Sequence, residues 1–338
     1  MTRTVYRMPK AGAIKHLSRK DESLNPPQAG ELTIEIQAIG LNFADIFAMF
    51  GLYSATPEGS FVPGLEYAGI ITAVGPNVTA WKTGDRIMGV TRFGGYASHL
   101  NIDARYVLPL PHNWSFAEGA SYLVQALTAY YALHPLGDLQ QGQTVLVHSA
   151  AGGVGIWANR IAKKRQAYTI GTVGSSAKLG KLLEEGYDQG IVRGKDFPKR
   201  LQESLGGRPL NLVLECIGGK ILRQSFDQMA PMGRLIAYGS AQYASPGSRP
   251  NYLKLLYYYL QRPKLDVQNM INLNKSVMPF NLIHLYERVE IMHQLLGEME
   301  QLDLGVPFVG HSFPFDQLKK AIHLFQSGQT MGKVVVEC

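Results

Sequence analysis

The stretch Thr144-Val-Leu-Val-His-Ser-Ala-Ala-Gly-Gly-Val-Gly155 decides the fold. Val145 to Val147 read as a short apolar strand, a glycine-rich turn follows at once, and Ile156 to Ala162 continues it as a helix. Gly152 and Gly153 permit a tight turn and a close approach of backbone to a pyrophosphate. Gly155 lets the helix pack near the strand, and the helix N-terminus supplies free N–H groups and positive potential. Ala150 stands where the usual dinucleotide fingerprint has its first glycine.

Downstream, short apolar runs at Tyr168 to Val173, Leu212 to Leu214 and Leu235 to Tyr238 alternate with helix-like stretches, the pattern of βαβ units on a parallel sheet. The expected doubly wound domain covers 125–272. Upstream the chain is β-rich. Thr33 to Ile39 and Gly69 to Val74 alternate like half-buried strands, Gly75-Pro76-Asn77 is turn chemistry, and Thr83 to Arg86 turns into a strand at Ile87 to Val90. Ser115-Phe-Ala-Glu118 has the form of a capping box and opens a helix that runs into the apolar segment Ala120 to Leu133. The tail returns to strand, helix and strand, with a helix around Asp316 to Phe325, Gly328 as its stop and a closing strand at Lys333 to Glu337. A length of 338 residues suits two domains, here an α/β parallel-sheet domain and a β-rich domain built from 1–124 and 273–338.

About twenty residues past the glycine turn, an NAD-selective site places an acid against the ribose 2′-hydroxyl. This chain has Gly171-Thr-Val-Gly-Ser-Ser-Ala-Lys178 there, with no carboxylate closing the strand. Gly174, Ser175, Ser176 and Lys178 suit the 2′-phosphate of NADPH, and Arg193 adds a second charge or stacks on the adenine. The plainer alternative has Ser175 and Ser176 capping the next helix, with Lys178 on a solvated face.

The net charge of +7 comes from scattered Lys and Arg, densest at Lys163-Lys164-Arg165, and no nucleic-acid recognition motif accompanies it. Cys216 and Cys338 are too far apart for a clustered thiolate site, and His99, His112 and His148 are separated, so no metal is expected. The first residues lack a signal-peptide core, and no run reaches the roughly 20 apolar residues of a membrane span, which points to a cytoplasmic protein. Tyr252 to Leu260 concentrates aromatic and apolar residues. It reads as a helix covering the parallel-sheet domain or a dimer contact, with a membrane touch as the minor alternative.

Gly40-Leu-Asn-Phe-Ala-Asp45, Gly51-Leu-Tyr53, Pro63-Gly-Leu-Glu66, Gly84-Asp-Arg86, Leu127-Thr-Ala-Tyr130, Ala150 to Gly155, Asn272-Leu-Asn-Lys-Ser-Val277 and Met331-Gly-Lys333 extend the picture nearly end to end. With these motifs the chain resembles the zinc-free quinone oxidoreductase branch of the medium-chain dehydrogenase/reductase superfamily, and within it the vesicle amine transport protein-like subgroup. The resemblance implies a GroES-like catalytic domain from both termini, a Rossmann domain between them, an active site in the cleft that separates them, and a homodimer. Zinc-dependent relatives carry a Cys within the segment matching Gly40 to Asp45 and a His where this chain has Leu65.

The resemblance further implies hydride transfer from NADPH to a quinone or enone. It puts Asn42 and Asp45 beside the nicotinamide, and Tyr53 at the substrate mouth as a donor to a developing enolate oxygen. It adds cofactor contacts from Thr128, from Ala151, Gly152, Gly153 and Val154 at the pyrophosphate, from Ile217 near the ribose, and from Tyr238, Gly239 and Ser240. Phe47 occupies the place of a second tyrosine found in many quinone reductases and cannot donate a proton. The rival reading is an NADPH-binding protein with weak or no catalysis that acts through protein or membrane partners.

Overall fold

The structure, a computed structural model, describes residues 1–244 and 246–338. They form two units: Met1–Val124 with Val306–Cys338 and a short piece ending at Pro250, and Gln125–Ala244 with Asn251–Gly305.

The first unit is built on a seven-stranded sheet. Its longest strand, Glu31–Gly40, pairs antiparallel with Glu66–Val74 on one side and with the closing strand Lys333–Glu337 on the other, while His99–Asp103 pairs with its N-terminal half. Ile34, Ile36 and Ile39 turn inward onto Tyr67, Ile71 and Leu100, so one face of the sheet holds a core with Val5, Met8 and Tyr96. A separate hairpin-like pair, Thr2–Arg7 with Ser18–Ser23, covers an end of that core. Asn77 takes φ 67, the left-handed conformation the turn Gly75-Pro76-Asn77 requires.

The register of three adjacent strands brings two charged residues together. Ile39 lies opposite Tyr67, and Gly40 lies opposite Val335. The start of one neighbour (Glu66) and the start of the other (Lys333) therefore arrive at the same end of the central strand, beside Asn42.

The second unit carries a six-stranded parallel sheet in the order Gln189–Val192, Tyr168–Val173, Thr144–Val147, Leu212–Glu215, Arg234–Ala237, Ser276–Pro279. The chain starts at Thr144–Val147 in the middle, runs outward one way and then returns to run outward the other way. That reversal is the topological switch point at which open α/β sheets bind ligands. Leu146, Ile170, Val213 and Leu235 pack under Phe197, Leu201 and Phe226 as the core of one side.

Two expectations need correction. The return to the first unit falls at Val306, not at residue 273, because Ser276–Pro279 pairs with Arg234–Ala237 as a sixth parallel strand and the helix Val289–Glu300 follows within the same unit. The apolar stretch after Ser115 is not one helix: Phe116–Gly119, Leu123–Tyr131 and a π-helical turn Ala132–Leu136 divide it, the last carrying Pro135. The helix Tyr252–Leu260 sets Tyr258 edge-on to Tyr243 of the same unit, but none of its residues is fully buried and Leu253 is 83% exposed.

Candidate active site and dinucleotide cradle

In the second unit every expected cofactor residue except Thr128 follows the carboxyl end of a parallel strand. Thr144–Val147 leads to His148 and then Ser149, which turns with φ 54, a left-handed conformation costly for a residue with a side chain. Ala150 is fully buried, Ala151 nearly so, and Gly152 is the N-cap of the helix Gly153–Lys164. The first intrahelical bond is Ile156 N to Gly152 O, so the N–H groups of Gly153, Val154 and Gly155 precede the ladder and face outward at the positive end of the helix. A Cβ on Gly155 would lie 2.6 Å from Ala150 Cα and O, which is why this position holds glycine. A Cβ on Gly153 would collide with the Gln125 side chain.

The next strand, Tyr168–Val173, ends at exposed Gly174, Ser175 and Ser176. Ser175 Oγ accepts from Ala177 N at 3.4 Å and so caps the turn Ser176–Lys178, the plainer of its two expected roles. Lys178 and Arg193 are both half-buried. Burial and the Arg193 charge hold the Lys178 ammonium below the usual lysine range, and burial also lowers Arg193. Two half-buried cations, one of them held down by the charge of the other, make a site an anion would relieve.

Leu212–Glu215 ends in a fully buried carboxyl. Glu215 Oε1 accepts from Ile217 N at 2.8 Å and Gly218 N at 2.9 Å, and burial pushes its pKa up to about 7 against those two N–H groups and Arg193. Cys216 O and Ile217 O accept from Ala241 N and Gln242 N, which stitches the loop after this strand to the loop after Arg234–Ala237. Tyr238, Gly239 and Ser240 lie in that second loop. A Cβ on Gly239 would touch Cys216 Cβ at 3.2 Å.

In the first unit, Asn42 N-caps the helix Phe43–Phe50. Its amide is shared among three partners: Oδ1 accepts from Lys333 Nζ at 2.9 Å, while Nδ2 donates to Gly40 O at 3.2 Å and Glu66 Oε2 at 3.3 Å. Lys333 Nζ also pairs with Glu66 Oε2 at 2.5 Å, with both side chains fully buried, and Glu66 Oε1 accepts from Val124 N at 3.0 Å. Asp45 closes the capping box by accepting from Asn42 N at 2.8 Å, and Tyr96 Oη donates to the same oxygen at 3.1 Å.

Asp45 is expected beside a nicotinamide, but it is fully enclosed and anchors the start of this helix instead. Burial pushes its carboxyl up to about 7, opposed by Asn42 N–H, Lys333 and Tyr96. A folded-state pKa above the unfolded value of 3.8 gives stability that is complete below that value and is lost as pH rises through about 7. Relative to Asp45→Asn, the wild-type chain should therefore lose thermal stability across that window. A midpoint difference that stays constant with pH would refute the burial account.

Two patterns of known domains match this chain: the alcohol dehydrogenase GroES-like domain over residues 28–112, and the zinc-binding dehydrogenase family over residues 153–295. The human synaptic vesicle membrane protein VAT-1 homolog is 30% identical over 314 residues, spanning 92% of this chain and 79% of that protein. The chain belongs to the medium-chain dehydrogenase/reductase superfamily of oxidoreductases. Within that superfamily, Escherichia coli quinone oxidoreductase, solved with NADPH, superposes with a TM-score of 0.86 at 27% identity over 100% of both chains. CurK enoyl reductase does so at 0.81 and 27%, over 99% of both.

The GroES-like unit and the parallel-sheet unit are thus those of a medium-chain dehydrogenase/reductase. The donor set at its first-unit site does not fit zinc. Leu65 is an apolar, buried neighbour of Glu66, no Cys occurs from Gly40 to Asp45, and among the described residues no three His, Cys, Asp or Glu side chains are placed to hold a metal ion. Tyr53 is half-buried against the first-unit core, and its carbonyl accepts from Thr56 N at 3.0 Å and Thr56 Oγ1 at 2.6 Å. Thr128 is buried on the helix Leu123–Tyr131, and Ile217 is half-buried.

Sequence reasoning missed the Glu66–Lys333 pair, although both residues stand in motifs that carry the family resemblance. An isolated buried Lys gives no local signal, and only the pairing of the closing strand and of Glu66–Val74 on either side of Glu31–Gly40 reveals its partner. Gln125 against Gly153 and Glu215 under its loop were missed for the same reason. An acid that ends an apolar strand before Gly-Gly was the one available hint.

Proposed function

We propose that this chain is an NADPH-dependent oxidoreductase that transfers hydride, without zinc, to a quinone or an α,β-unsaturated carbonyl compound. The observation that carries the reading is the half-buried cation pair Lys178 and Arg193 at the carboxyl end of Tyr168–Val173, beside the glycine turn, where an NAD-selective site has an acid. The NADPH bound by E. coli quinone oxidoreductase and the activity named for CurK enoyl reductase support the same cofactor and substrate class.

The residues present fit the dinucleotide. Gly153, Val154 and Gly155 would offer N–H groups to its pyrophosphate, Ser175, Ser176, Lys178 and Arg193 would hold its 2′-phosphate, and Ile217, Tyr238, Gly239 and Ser240 would line the nicotinamide half. Bound NADPH supplies the hydride. The protein supplies position and charge. In the first unit Lys333 fixes the Asn42 amide through Oδ1, leaving Nδ2 on two long bonds that a stronger acceptor could claim. The Tyr53 phenol would donate to the substrate oxygen as it gains negative charge. With Leu65 in place of a zinc-binding histidine, such donors take over the role of a Lewis acid.

A homodimer completes this reading. Ser276–Pro279 is an edge strand with one side of its ladder unpaired among the described residues. The adjacent helices expose Leu253, Leu260, Val267 and Ile271 by 65% or more, apolar surface of the kind that partners cover. Sedimentation of the full chain reports the oligomeric state directly.

Lys178→Ala tests the cofactor assignment. Losing a charge-assisted contact should weaken NADPH about 10- to 100-fold and leave NADH nearly unchanged. Equal effects on both nucleotides would remove Lys178 from the 2′-phosphate site.

A further inference from the structure

His148 is fully buried, and both of its ring nitrogens are engaged. Nδ1 lies 2.8 Å from Thr172 Oγ1 and Nε2 lies 2.9 Å from Ser225 Oγ. The proton positions follow from the partners. Ser225 gives its single hydroxyl hydrogen to Ile221 O at 2.9 Å, so its oxygen must accept from His148, and the ring proton is on Nε2. Nδ1 is then an acceptor, and the Thr172 hydroxyl donates to it. With its hydrogen turned inward, Thr172 Oγ1 presents a lone pair outward, and Arg193 Nη1 donates to it at 2.9 Å and to Thr172 O at 3.2 Å.

The result is a one-way chain of hydrogen bonds from the guanidinium through Thr172, His148 and Ser225 to a helix carbonyl, with every donor matched to an acceptor. It works only with a neutral ring, because a histidinium would donate from both nitrogens and turn the Thr172 hydroxyl away. Burial, helped by the Arg193 charge, keeps the ring neutral by pushing its pKa down to about 3. The outer end of the chain is placed to matter. Arg193 Nη2 lies 3.4 Å from where a Gly174 Cβ would stand, so the guanidinium rests against the first residue of the turn that leads to Lys178.

We infer that His148 and Thr172 are positioning residues that set nucleotide selectivity from inside the core by holding the Arg193 guanidinium at the end of the strand Tyr168–Val173. The inference rests on the dinucleotide reading of this site. It makes His148 neither a metal ligand nor a core filler: it reads the Thr172 hydroxyl one way round and so decides where a cation sits.

The experiment measures dissociation constants for NADPH and NADH in wild type, Lys178→Ala, Arg193→Ala, Thr172→Val, Thr172→Ser and the double variant Thr172→Val/Arg193→Ala. Thr172→Val keeps the side-chain shape and deletes only the hydroxyl, so it should weaken NADPH roughly five- to tenfold, with NADH changed far less. Thr172→Ser should restore the preference, and the double variant should be no worse than Arg193→Ala alone. A preference for NADPH that is lost in Lys178→Ala and Arg193→Ala but intact in Thr172→Val overturns this inference and leaves the cofactor reading standing. No preference in wild type overturns both. If Thr172→Val does not fold, the ring of wild-type His148 still decides: nitrogen NMR of 15N-histidine-labelled protein should show the proton on Nε2 and a bare Nδ1, and a proton on Nδ1 at neutral pH would contradict the chain.

Discussion

Lys333→Met should destabilise the first unit by about 3–5 kcal/mol, the loss expected when one member of a buried ion pair is removed. The cause is what stays behind. Glu66 would keep Val124 N and the Asn42 amide as donors but lose the ammonium on its Oε2 atom, and Asn42 Oδ1 would lose its donor as well. Replacing both charges in Glu66→Leu/Lys333→Met should recover much of that stability, because a well-packed apolar pair no longer has charges to desolvate. Urea unfolding of the three proteins checks this. A single variant within about 1 kcal/mol of wild type, the range of exposed pairs, would mean that the bridge is not the buried pair described.

The same variant should also affect binding at the proposed active site. Lys333 fixes the Asn42 amide and, through the capping network, the start of the helix that Asp45 anchors. The double variant that regains stability should therefore not regain activity to the same extent, which separates folding from positioning.

Gly155→Ala is the second large effect expected. Its Cβ would meet Ala150 Cα and O at 2.6 Å and Ala150 C at 2.7 Å, all backbone, so no side chain can swing aside and the helix Gly153–Lys164 must shift. Overpacking of this kind costs about 1–3 kcal/mol. A shifted helix would also misplace the N–H groups of its first turn, so NADPH affinity should fall with stability. Gly180→Ala is the contrast: it lies in the helix Leu179–Glu184 with nothing within 4 Å of its Cβ position, and it should gain up to about 1 kcal/mol. Equal thermal shifts in the two variants would contradict the close-approach role of Gly155.

How much of the fold was legible in the sequence depends on the range over which each feature is encoded. The strand Tyr168–Val173 and the closing strand Lys333–Glu337 are local patterns of period and punctuation and lie where expected, while the helix after the glycine turn starts at Gly153, three residues before the expected Ile156. Ser276–Pro279 escaped notice because a four-residue strand with two exposed positions has no distinctive period of its own. It becomes a strand by pairing with a stronger neighbour. The domain boundary at 272 failed for that reason, since the missed sixth strand is what keeps the next thirty or so residues in the second unit.

The site shows the same division. The proposed roles of Lys178 and the serines before it rest on what the end of one strand lacks, an acid. Asp45 could be read either as a local-turn residue or as a site residue, because a capping-box carboxylate and a catalytic carboxylate look alike in sequence; its complete enclosure favours the capping role. The Arg193, Thr172 and His148 chain joins three different strand ends, so no single window of sequence contains it.

The most direct test of the central claim is a fluorescence titration of the purified chain with NADPH and NADH, followed in the same cuvette by a panel of quinones and enones. The account predicts tighter binding of NADPH than NADH and oxidation of the bound NADPH by at least one member of the panel. Failure to bind either nucleotide would contradict it.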